Sequence, residues 1–73
     1  MPPRSDYRAV IGAAIRAKRR RARLTQERLA ERADLHPNYM GRVERGEEYV
    51  SMISLRRIAK ALRCRVRDLV WDV

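Results

Sequence analysis

Apolar residues recur along this chain at helical spacing, in short stretches separated by polar breaks, and no stretch gives a convincing strand pattern. From Tyr7 onward, Ile11, Ala14, Ile15 and Ala22 form one stripe, and Leu24 follows in a connection. Ser5 is the expected N-cap of this helix, and Asp6 suits its positive end. Gly12 lies within the stripe, where glycine costs about 1 kcal/mol relative to alanine but allows another helix to come close. A second helix begins after Thr25, whose hydroxyl can accept from a first-turn amide, and it carries Leu29, Ala30 and Ala33 inward. Asp34 and Leu35 break the period, and aspartate tolerates the left-handed backbone that a tight turn requires. His36 then precedes Pro37, a residue favoured at the first position of a helix because its missing N–H would be unpaired there anyway. Tyr39, Met40 and Val43 form the inward stripe of this third helix, and Gly46 is its stop.

Residues 47–50 read as a loop. Ser51 caps a fourth helix whose stripe is Met52, Leu55, Ile58, Ala59 and Leu62. After a link at 63–65, Val66, Leu69, Val70 and Val73, with Trp71 beside them, mark a short fifth helix. The pattern predicts an all-α, compact five-helix single domain spanning 1–73. Within it, residues 1–5, with Pro2 and Pro3, are expected to be a mobile arm, and 51–73 the region for dimerisation. The centre of the chain is 25–46. Facing outward on its second helix are Asn38, Gly41, Arg42 and Arg45, a polar cationic face with side chains able to reach base edges. Helix, short turn and helix with such a face is the pattern of a DNA-binding helix-turn-helix.

Charge strengthens that reading. The 73 residues carry a formal net charge of +9, which points to a polyanionic partner such as nucleic acid. All of the 18 basic residues except Lys18 and Lys60 are arginine, which fits either phosphate and guanine recognition or a biased genome composition. Residues 16–23, RAKRRRAR, are cations beside the negative end of the first helix, read either as a solvated face or as phosphate contacts. Arg19 falls beside the apolar stripe, so it is expected to turn inward. A chain this short has a small core and often gains stability by dimerising.

Other chemistry is sparse. The single Cys64 excludes an internal disulfide and reads as a small buried apolar residue rather than a redox sensor. No apolar run approaches the ~18 residues needed to span a membrane, and the N-terminus lacks a signal-peptide core, so a cytoplasmic protein is expected. One His and one Cys make no metal site or evident nucleophile–base pair, and there is no glycine-rich phosphate loop. No enzyme activity, cofactor, metal or small-molecule ligand is expected. With no Phe and one Trp, the aromatic platform of single-strand binders is also missing.

LTQERLAERADLHPNYMGRVERG followed by VSMISLRRIAKAL resembles the XRE family, the Cro and C1 repressor type of helix-turn-helix. The similarity covers roughly 11–70. Its size and the segment ERG-EEYVS-MISL further resemble restriction–modification controller proteins, small dimeric activator–repressors. The resemblance implies base reading by His36, Pro37, Asn38 and Arg42. It implies phosphate contacts by Gln26, Arg45, Tyr39 and Arg23, and a partly buried salt bridge between Arg19 and Glu44. It implies a homodimer on a pseudo-palindromic double-stranded operator, and admits RNA polymerase as a further partner. Met52, Ile53, Val66, Leu69 and Trp71 are the candidates for the dimer interface, the alternative being that the C-terminal set completes a monomer core. A phage Cro-like repressor or an antitoxin shares many of these features, and a non-specific chromosome-coating protein shares the charge.

The sequence departs from the family where glycine is common. Arg23, Asp34 and Arg63 stand at helix ends or turns, at a cost of roughly 1 kcal/mol each if the backbone there is left-handed. Pro37 offers no backbone N–H and Gly41 no side chain, so direct base reading is expected to rest on Asn38 and Arg42.

Overall fold

A computed structural model of the chain describes residues 7–70. The expected arm, the Ser5 cap, Asp6, Trp71 and Val73 lie outside the described residues. Five helices follow one another: α1 (Tyr7–Arg21), α2 (Gln26–Ala33), α3 (Pro37–Glu44), α4 (Met52–Ala61) and α5 (Val66–Val70). Among the described residues there is no strand, and no helix is long and apolar enough to cross a membrane.

The starts of the helices follow side-chain caps. The Thr25 hydroxyl accepts from Arg28 N at 3.0 Å, His36 Nδ1 from Asn38 N at 3.0 Å, and Ser51 Oγ from Ser54 N at 3.0 Å. Each satisfies an amide that has no partner within its helix.

The ends of α1 to α4 share one geometry. Leu24 N donates to Arg19 O, Leu35 N to Ala30 O, Glu47 N to Arg42 O, and Cys64 N to Ala59 O, each at 2.8–3.1 Å. In each case the preceding residue is left-handed: Arg23 (φ 60°), Asp34 (φ 57°), Gly46 (φ 75°) and Arg63 (φ 57°). This is the Schellman closure, which pairs carbonyls otherwise orphaned at the helix end. Only Gly46 adopts it without a Cβ penalty, so strain is stored at Arg23 and Arg63, and less at Asp34.

That closure ends α1 at Arg21, and Ala22 is exposed in the turn rather than part of the stripe. Met52 is also corrected: it is 64% exposed at the start of α4, where Ser54 and Leu55 turn inward instead. The largest fully buried side chains are Ile15, Leu29, Met40, Val43, Ile58 and Leu69, so every helix contributes to one core.

The fold turns on Gly12. A Cβ there would lie 2.4 Å from Val43 O and 2.7 Å from Glu44 O, so α1 rests directly on the last turn of α3. That contact fixes how α3 projects from the body.

Candidate nucleic-acid interface

Behind α3 lies a buried charge. The Glu44 side chain is fully enclosed, whereas that of Arg19 is 11% exposed. Arg19 Nε donates to Glu44 Oε2 at 2.7 Å and Nη2 to Oε1 at 3.0 Å, while Nη1 donates to Leu24 O at 2.8 Å. Gln26 Nε2 donates to Glu44 Oε1 at 3.0 Å, and Arg16 Nε lies 3.6 Å from the same oxygen. One carboxylate thus joins α1, the start of α2 and the end of α3. Two parallel N–H···O bonds from a guanidinium fix angle as well as distance.

Burial alone would push the Glu44 carboxyl up. The hydrogen bonds from Arg19 and Gln26, with the positive charges of Arg19 and Arg16, outweigh burial and hold it below the ordinary carboxylate range. A folded-state pKa below the unfolded one means the ionised form stabilises the fold. That stability is complete above the ordinary carboxylate pKa and is lost as pH falls through the lower folded value. Glu44→Gln is therefore expected to be less stable at neutral pH and to show a shallower acid limb in thermal melts, converging with the parent at low pH. Parallel curves for the two proteins would remove Glu44 as the source.

In front of α3, Gln26, Pro37, Asn38, Gly41, Arg42 and Arg45 border a cleft of about 300 Å³, together with Glu27. Asn38, Arg42 and Arg45 are exposed, but Gly41, expected on the outer face, is buried. An added Cβ there would come within 3.0 Å of Arg45 Nη1 and 3.7 Å of Gln26 Oε1.

The other expected contact residues lie elsewhere. His36 is exposed beside the cleft, its ring tied to the backbone as the cap of α3. Tyr39 is half-buried, and its hydroxyl accepts from Ser51 N at 3.3 Å, tying the following loop to α3. Arg23 is exposed on the turn before α2 and does not border the cleft.

Two residues that the sequence pattern left within a loop reach this face. Glu48 Oε2 accepts from Arg42 Nε at 3.0 Å, and Glu47 Oε2 from Arg45 Nε at 2.7 Å. The bond from Arg45 holds the Glu47 carboxyl below its ordinary range. The available signal was a pair of consecutive carboxylates one turn beyond two outward arginines.

Away from this cleft, Ile53 is 66% exposed beside the exposed Met52, and Val66 is half-buried. Leu69 is corrected: at 1% exposure it fills the core and is not available to a partner, because α5 folds back over α1 and α4. Cys64 borders an open groove with Ile53 and Val66, where burial pushes its thiol up and away from the reactive thiolate. Among the described residues there is no cluster of metal-ligating side chains.

Residues 15–69 match the helix-turn-helix family. The chain is 34% identical over 67 residues to the control protein C.BamHI of Bacillus amyloliquefaciens, covering 90% of this chain and 83% of that one. It is 38% identical over 65 residues to the control protein C.SmaI of Serratia marcescens, covering 89% and 77% respectively. Among solved structures it is similar to the restriction–modification controller protein C.AhdI from Aeromonas hydrophila, with a TM-score of 0.83 and 35% identity over 85% of this chain and 94% of that one.

Proposed function

The chain belongs to the helix-turn-helix family of Cro and C1 type, and from that premise we propose that it is a homodimeric transcriptional regulator of the restriction–modification controller kind. One observation carries this reading: Asn38, Arg42 and Arg45 are exposed around one cleft with Gln26, at the front of a helix braced from behind by a buried ion pair. Controller proteins are among the relatives most like it in sequence and in fold.

In this reading α3 enters the major groove. Asn38 reads adenine and Arg42 guanine, each contact worth about 1–3 kcal/mol of discrimination. Gln26 meets a phosphate where the first amides of α2 also favour an anion. The remaining cations add salt-dependent affinity without sequence information. A second copy docks through Met52 and Ile53, spacing two recognition helices about one turn of DNA, ~34 Å, apart. The protein acts in the cytoplasm, without enzymatic activity, and as an activator it touches RNA polymerase.

The test has two arms. Arg42→Ala should lose about 1–3 kcal/mol of preference per half-site for duplexes enriched by the parent protein, yet keep weak, salt-sensitive binding to random duplexes. Equal losses on both kinds of duplex would reduce Arg42 to a phosphate contact. Sedimentation at micromolar concentration should give a dimer, and Ile53→Asp a folded monomer. A strict monomer for the parent chain at high concentration would remove the palindromic operator.

A further inference from the structure

We propose that Glu48 determines how well Arg42 discriminates guanine, bracing the guanidinium in a guanine-reading pose and opposing its use on phosphate. The inference rests on the reading of α3 given above.

The bonding atom carries it. Arg42 is held by Glu48 through Nε, at 3.0 Å. A guanidinium fixed at Nε still has Nη1 and Nη2 at its outer end, the parallel pair that can meet O6 and N7 of one guanine. The neighbouring pair differs. Glu47 takes Nε of Arg45 at 2.7 Å and also approaches Nη2 at 3.4 Å, closing one edge of that fork. Arg45 therefore spends two donors on its carboxylate, whereas Arg42 spends one and keeps both Nη groups whole.

The carboxylate is itself on a fixed segment. Glu47 N donates to Arg42 O at 2.9 Å and Ser51 N to Tyr39 Oη at 3.3 Å, so the loop is tied to α3 on both sides of Glu48. Tyr49 packs against Tyr7, ring centroids 5.7 Å apart. A free arginine side chain holds appreciable rotamer entropy. Ordering it before docking lowers the cost of making the base contact.

Charge acts in the same direction. If Arg42 swings to a phosphate it breaks the pair and leaves Glu48 facing a polyanion without its partner. If it reads guanine through Nη1 and Nη2, the pair stays closed. Random-sequence complexes are thereby penalised relative to those with guanine in register.

The test is selection from duplexes with a randomised core, run with the parent protein, Arg42→Ala, Glu48→Ala, Glu48→Gln and the Arg42→Ala/Glu48→Ala double variant. Arg42→Ala should erase one guanine preference in the enriched motif. Glu48→Ala should weaken that same preference about fivefold, toward the lower end of couplings between touching residues, and raise affinity for random duplex. Glu48→Gln, still able to accept from Nε, should retain the preference while also gaining random-duplex affinity. Added to Arg42→Ala, Glu48→Ala should change no base preference further. An unchanged guanine preference in Glu48→Ala, or an even weakening at all positions, overturns the role of Glu48 while leaving that of α3 intact. Failure of the parent protein to enrich any motif overturns both.

Discussion

Gly12→Ala is expected to cost the domain about 2–3 kcal/mol, a substantial share of its stability and a clear downward shift in melting temperature. Alanine is the better helix former by about 1 kcal/mol, so propensity alone predicts the opposite sign. The difference lies in what the new methyl group meets. At 2.4 Å from Val43 O and 2.7 Å from Glu44 O it strikes backbone carbonyls at the end of α3, which no change of rotamer can move. Relief requires α1 and α3 to separate, loosening the contact that also brings Arg19 to Glu44.

Gly41→Ala supplies the contrast. There the nearest group is Arg45 Nη1 at 3.0 Å, the far end of a flexible side chain, and the helix gains up to about 1 kcal/mol of propensity. Thermal melts of the two variants should move in opposite directions. A parent-like melt for Gly12→Ala would mean that α1 and α3 are not in close contact in solution.

The helices were legible because their signals are local. Thr25, Ser51 and the His36–Pro37 pair announce helix starts, and the periodic stripes announce inward faces. Misreadings arose where tertiary geometry overrides period. Ala22 keeps the period of α1, but the left-handed Arg23 turns the chain before it can pack. Met52 keeps the period of α4, yet lies beyond the reach of the core at 64% exposure. Leu69 was expected at a partner surface, with the core as the alternative, because a stripe does not say which surface covers it. The pairing of Glu47 and Glu48 with Arg45 and Arg42 was not legible, since loop conformation decides it and no period marks it. Arg19 and Glu44 are 25 positions apart, and their expected pairing came from family resemblance rather than spacing.

Glu44→Ala is expected to be among the most damaging single side-chain truncations around α3, at about 3–5 kcal/mol. A domain of this length has roughly 4–11 kcal/mol in total, so the variant should lose a large share of its stability. The cost comes from what is left behind: the Arg19 guanidinium, 11% exposed, and the Gln26 amide both lose their acceptor.

Arg19→Ala should cost less. Gln26 and Arg16 remain beside the carboxylate, and Glu44 can take up a proton. The replacement of both members, Arg19→Met with Glu44→Leu, should recover most of the lost stability, because an apolar pair of similar volume avoids desolvating either charge. It should not recover DNA binding to the same degree. Gln26 would still lack the oxygen that anchors it at the head of α2, and affinity should fall on specific and random duplexes alike, as for a phosphate contact. Full stability with full affinity in the double variant would make the ion pair dispensable to the interface. A loss under about 1 kcal/mol in Glu44→Ala would place the pair among exposed surface bridges, against the full enclosure of the Glu44 side chain.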